Sequence, residues 1–150
     1  SAASDVYKRQ GNKSMIELIY GKKGSGKTKR LLDMVNAEVE TAKGDVVFID
    51  DDKRYMYDVK REIRFVDTSE YGIEGVDRLY GLICGMLAQN FDITAIYIDA
   101  FLKIIGKKPE ELEEFMDGIK KLHKDTGCKF IFIVSADEKE APAFLKEYIV

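Results

Sequence analysis

Met15-Ile-Glu-Leu-Ile-Tyr-Gly-Lys-Lys-Gly-Ser-Gly-Lys-Thr28 decides the fold, because its second half fits G-x-x-x-x-G-K-[ST] and its first half reads as a strand. The apolar run Met15–Tyr20 predicts a strand, and Lys29–Ala42 predicts a helix. Strand, glycine-rich turn and helix in that order are the context in which such a turn cradles phosphate. Its backbone N–H groups converge on one anion site, aided by the positive end of the helix. Gly21, Gly24 and Gly26 permit the tight turns and let phosphate approach the backbone. The expected phosphate contacts are Gly21, Lys22, Lys23, Gly24, Ser25, Gly26, Lys27 and Thr28. Lys27 is expected at the β- and γ-phosphates as a catalytic group, and the Thr28 hydroxyl at Mg²⁺. ATP and Mg²⁺ are the expected cofactors.

Outward from the loop, strands and helices alternate. Leu31, Leu32, Val35 and Val39 form the buried stripe of the first helix, which Lys43-Gly44 ends. Val46–Asp50 predicts a second strand, nearly all apolar as a buried parallel strand is. A short helix is expected over Asp52–Glu62 and a brief strand over Ile63–Val66, whose place in the sheet is open. Val76, Leu79, Tyr80, Ile83 and Leu87 recur at helical spacing, with Gly81 and Gly85 read as points of close packing on the sheet. Ala95–Asp99 is the fourth strand, and Pro109 opens a helix with the stripe Leu112, Phe115, Met116, Ile119 and Leu122. Lys129–Val134 is the fifth strand and Ala141–Tyr148 a closing helix. The alternation predicts a three-layer αβα domain with a mainly parallel, five-stranded sheet over residues 15–150.

Two strands end in an acid. Asp99 follows Ala95-Ile-Tyr-Ile98, and Asp50 follows Val46-Val-Phe-Ile49. An aspartate at such a strand end holds Mg²⁺ opposite the loop hydroxyl, and Asp99, the later of the two, is read as that acid and as a catalytic residue. The cluster Asp50-Asp51-Asp52 is either a solvated loop or a second contributor to the metal site, at the edge where open α/β sheets bind ligands. Ala100 stands next to Asp99, where a water-activating glutamate is often found, so slow hydrolysis is expected. Glu110 and Glu111 are alternative bases or helix-dipole partners, and Ser135 a γ-phosphate sensor or a strand-end cap. Lys53 and Arg54 read as surface charge or phosphate contacts, Tyr55 and Tyr57 as packing or base-stacking residues, and His123 as solvated. Cys84 and Cys128 lack metal-ligand spacing and read as buried thiols.

The chain has 150 residues, with 24 Lys and Arg against 27 Asp and Glu, a formal net charge of −3. That balance gives nucleic-acid binding no support, and no apolar stretch is long enough to span a bilayer. Ser1–Gln10, SAASDVYKRQ, is the translation of sequencing-adaptor DNA, TCG GCA GCG TCA GAT GTG TAT AAG AGA CAG. Residues 1–14 are therefore expected to be a disordered adaptor and readthrough tail, with Met15 as the natural start and a cytoplasmic location.

With GKKGSGKT and the later AIYIDA, the chain resembles the P-loop NTPase superfamily, in particular its RecA-like division. The phrases MIELIYGKKGSGKT, KRYMYD, IRFVDTSEYGI and SADEKE resemble a group of small ATP-binding proteins from clostridia and other anaerobic Gram-positive bacteria. Some of these carry a name borrowed from twitching-motility ATPases, much larger hexameric motors. The order phosphate loop, second strand, acid-ended strand and SAD strand is similar to type II thymidine kinases, which carry Asp-Glu and a cysteine-rich zinc lid where this chain has Asp99-Ala100 and no lid. Lys22 and the run Ile49-Asp50-Asp51-Asp52 are similar to features of ParA/MinD ATPases, although Lys23 replaces their usual glycine. These resemblances imply a slow ATPase or a nucleotide-controlled interaction module, with a protein partner or self-association. The alternative is a small-molecule, nucleoside-type kinase with its acceptor near Asp50–Arg54.

Overall fold

The computed structural model describes residues 15–150, so the expected adaptor tail lies outside the described residues. Five strands form one sheet: β1 (Ile16–Gly21), β2 (Asp45–Asp50), β3 (Arg64–Asp67), β4 (Ile93–Ile98) and β5 (Lys129–Ser135). Their order is β1-β5-β4-β2-β3, and every pairing is parallel. Helices cover both faces, which explains why the strands read as unbroken apolar runs rather than alternating ones. The expected three-layer α/β architecture is therefore present, and the sheet is wholly rather than mainly parallel.

One face is covered chiefly by α1 (Lys27–Thr41), whose Leu31 and Val35 are fully buried in a cluster with Ile19, Phe48, Tyr97 and Ile133. Burial of each such side chain stabilises by about 1.5–3 kcal/mol. Glu38 on α1 accepts hydrogen bonds from the Tyr97 hydroxyl (2.9 Å) and the Lys129 ammonium (3.0 Å), tying the helix to β4 and β5. The opposite face is covered by α2 (Val76–Gln89), α3 (Phe101–Ile105), α4 (Glu113–Thr126) and α5 (Ala143–Lys146). At its centre the Phe101 and Phe115 rings lie 4.8 and 5.8 Å from that of Phe132. Truncating Phe132 to alanine there would cost about 3–5 kcal/mol.

Several expectations need correction. Asp52–Glu62 is not a helix beyond a 3₁₀ turn at Met56–Asp58. Asp52 caps the Arg54 N–H, and Asn36 on α1 binds the Asp58 carbonyl and the Lys60 N–H, so these backbone groups are satisfied outside a helix. The closing helix is shorter than Ala141–Tyr148, because the chain after it runs beside β1. Leu18 N–H donates to Tyr148 O (2.8 Å) and Val150 N–H to Leu18 O (3.0 Å), which covers an otherwise open sheet edge. Pro109 opens a 3₁₀ turn, Pro109–Glu111, ahead of α4.

Gly81 and Gly85 do not pack on the sheet. Leu79, Ile83 and Leu87 face the core, so the two glycines lie on the opposite, solvent side of α2, with nothing near an added Cβ. Gly118 takes the close-packing part instead: a Cβ there would sit 2.7 Å from the Tyr80 ring. His123 is half-buried rather than solvated, and its Nδ1 meets the Cys128 carbonyl at 2.7 Å. Cys128 is buried and Cys84 half-buried, both free thiols. The short strand left open by the sequence is β3, at the sheet edge.

Candidate functional site

The carboxyl ends of β2, β4 and β5 and the turn after β1 border one cleft of about 610 Å³. From β1 the chain turns through residues 21–26 into α1. Gly24 and Gly26 take φ of 85° and 80°, the left-handed region where a side chain is strained, and a Cβ on Gly21 would sit 2.8 Å from Ser25 Oγ. α1 begins without a side-chain cap and without an acid in its first turn. Its first N–H groups and positive end therefore face the turn uncompensated.

Lys27 is 8% exposed and folds back into the turn. Its ammonium donates to Lys22 O (2.8 Å) and to Ser25 Oγ (3.3 Å). Burial pulls its pKa down, and the charge of Asp99 acts the other way. Lys22 reaches outward to Asp137 of its own chain at 3.8 Å and is largely exposed, as is Lys23.

Asp99 follows β4, its N–H held by the Ile49 carbonyl (2.9 Å). The Thr28 hydroxyl donates to Asp99 Oδ2 at 3.1 Å, and the Ala100 N–H to Oδ1 at 2.8 Å. Thus α1 and β4 present a hydroxyl and a carboxylate side by side beneath the turn. Both are hard oxygen donors, a set that suits Mg²⁺. Ala100 has φ 54°, the one positive value at a non-glycine among the described residues. That turn redirects the chain into α3 directly after Asp99.

Asp50, at the end of β2, is differently placed. It is 2% exposed, its Oδ1 accepts from the Asp51 N–H (2.8 Å), and its Oδ2 has no partner among the described residues. Burial above all, with the charge of Asp99 adding, pushes its pKa up to about 8. Burial thus favours the protonated form of Asp50. The other two acids of the cluster carry counter-ions: Asp51 pairs with Lys103 at 2.7 Å and Asp52 with Arg54 at 3.3 Å.

β5 lies between β1 and β4, and its last residue, Ser135, sits in register with Gly21 and lines the cleft. Tyr55 also lines it, with the Arg54 guanidinium 5.8 Å from the ring centroid, whereas Tyr57 is 91% exposed and packs on nothing. Lys53 pairs with Glu70, away from the turn. Neither Glu110 nor Glu111 lines the cleft, and Glu111 instead accepts from the Lys108 N–H at 2.9 Å, capping its own turn. Lys103 was not read as part of the site, because α3 is too short to show a helical pattern.

The class defined by this geometry is a parallel α/β domain with a glycine-rich turn and an opposed acid at its carboxyl edge. No family model matches the chain, and comparison with curated proteins finds no match. Among solved structures, the fold is similar to that of the flagellar accessory protein FlaH from Methanocaldococcus jannaschii. The TM-score is 0.60 at 12% identity, covering 95% of this chain and 70% of that one, a likeness of fold alone. Among the described residues, no helix is long and apolar enough to cross a membrane.

Proposed function

We propose that this chain binds ATP with Mg²⁺ at the carboxyl-edge cleft and acts as a slow ATPase or a nucleotide-controlled interaction module. The observation that carries this reading is the 3.1 Å hydrogen bond between Thr28 and Asp99, residues that only a folded sheet can join. In this reading the 21–28 turn receives the phosphates on its N–H groups, and Lys27 exchanges its Lys22 carbonyl contact for phosphate oxygens. Thr28 and Asp99 hold Mg²⁺, which when bound neutralises charge on the phosphate oxygens. Ser135, in register with Gly21, would hydrogen-bond the terminal phosphate in this reading. Ala100 carries no acid–base group, so water next to Asp99 lacks a dedicated base and turnover is slow.

Lys22 is held by Asp137 of its own chain, which favours a surface role for it over a contact with a second copy. The test is a single-turnover assay with γ-labelled ATP and Mg²⁺, scoring retained nucleotide and released phosphate together. Retention with phosphate release identifies an ATPase, and retention without release a switch or a kinase lacking its acceptor. Absence of retention overturns the proposal.

A further inference from the structure

A groove of about 860 Å³ runs between α2 and α4, on the sheet face opposite α1, and shares no residue with the phosphate cleft. Its floor is aromatic and fixed. The Tyr80 ring lies over Gly118, where an added Cβ would come within 2.7 Å of it, and the Tyr80 hydroxyl donates to Gly118 O (3.3 Å). Phe115 supports the same ring edge-on, with centroids 6.1 Å apart and planes at 75°. Tyr80 and Val76 are only half-buried, so they offer solvent an apolar surface of settled geometry. An aromatic held in place before binding is a good anchor for a docking partner, because little freedom is lost when it is covered.

The rims are acidic. Glu74 and Asp77 flank the start of α2, and Glu111, Glu114 and Asp117 line the turn before α4 and its first turns. None of these five is in an ion pair among the described residues. Against them stand Arg78, Lys107 and Lys121, and Arg78 already donates to Gly72 O at 2.9 Å. The lining is net negative, which disfavours nucleic acid and anionic lipid and favours a partner that carries cations.

Carboxylates on both rims of a slot suit an elongated partner rather than a point charge. The α4 rim from Glu114 to Lys121 covers about 10 Å of helix axis. Gly81 and Gly85 keep the slot open. They follow Asp77 at successive four-residue steps, so beyond the first turn this side of α2 carries no side chain. Glycine weakens a helix interior, and an added Cβ at either position would meet no other group of this chain. A low rim above a two-helix floor is where the ridge of a third helix can sit.

We propose that this groove docks a basic amphipathic helix of a partner protein. The apolar face of that helix covers Tyr80 and Val76, and its lysines or arginines meet the carboxylates of the two rims.

The experiment titrates the full chain into two fluorescein-labelled amphipathic helices of about eighteen residues, read by anisotropy. Both have a leucine face, and they differ only in carrying lysine or glutamate on the flanks. The lysine helix should bind about tenfold tighter or more, and should weaken as salt rises. Glu114→Lys with Asp117→Lys should weaken it about tenfold, whereas Glu138→Lys with Glu140→Lys, the same charge change away from the groove, should leave it unaltered. Gly81→Leu should also weaken it about tenfold without lowering the melting temperature, because leucine favours helix and blocks the low rim. Equal affinity for the two helices, equal loss from both charge-reversed pairs, or unchanged binding in a folded Gly81→Leu protein would overturn the proposal. So would binding to phosphatidylserine vesicles in place of the peptide, or a mass of two chains on a sizing column that Gly81→Leu returns to one. Those results would assign the groove to a membrane or to a second copy.

Discussion

The glycine-rich turn and the acidic end of β2 and β4 face the same cleft but are built by different means. The turn is assembled from neighbours in sequence: two left-handed glycines, a lysine curled onto the carbonyl of Lys22 and the uncapped start of α1. The acids are brought together by the pairing of β2 with β4, and their environments diverge although their sequences match. Asp99 receives the Thr28 hydroxyl and the Ala100 N–H, one on each oxygen. Asp50 is sealed with one oxygen unpartnered, and burial raises its pKa. One carboxyl is hydrogen-bonded through both oxygens, and its neighbour is buried with one oxygen bare.

Removing the turn's ammonium tests the first half of this contrast and should have the largest effect. Lys27→Ala is expected to weaken ATP binding about a hundredfold or more, measured by equilibrium dialysis. Unchanged binding would break the assignment of the turn.

The acids test the second half. Asp99→Asn should raise the Mg²⁺ concentration needed for nucleotide retention about tenfold, and Asp50→Asn should raise it less. The reverse order would move the cation to β2.

Proton linkage sharpens the same contrast. The Asp50 carboxyl titrates near 3.8 when unfolded and about 8 when folded, so between those values the folded state holds the extra proton. Stability from this group is complete below the unfolded value and is lost as pH rises toward about 8. The melting temperature should therefore fall between about pH 5 and pH 8, and Asp50→Asn should flatten that fall. An equal slope in the variant would show that Asp50 is ionised in the folded chain.

The smallest effect is expected at Ala100. Ala100→Gly relieves a left-handed alanine and should stabilise by up to about 1 kcal/mol in urea unfolding.

The strands and α1 were legible because each carries its own signal, a run of apolar residues or a stripe at helical spacing. Legibility failed where the deciding partner is distant. Asp52–Glu62 looked helical until Asn36 took its backbone groups, and the end of the chain looked helical until β1 offered an edge to pair with. Gly81 and Gly85 show the same limit at smaller scale: their spacing is regular, but the side of α2 they occupy was set by Leu79, Ile83 and Leu87.

The sequence by itself determined the turn at 21–28, the alternation of strands and helices, and two strand-end acids, of which position along the chain favoured Asp99. Those are local properties, written in backbone permissiveness and hydrophobic period. Only the tertiary structure gave Asp99 and Asp50 their different partners, set Ser135 beside Gly21, and brought Tyr80 onto Gly118 between α2 and α4. The physical reason is that hydrogen-bond partners, burial and proton affinity depend on what the sheet brings near, and strand order decides that.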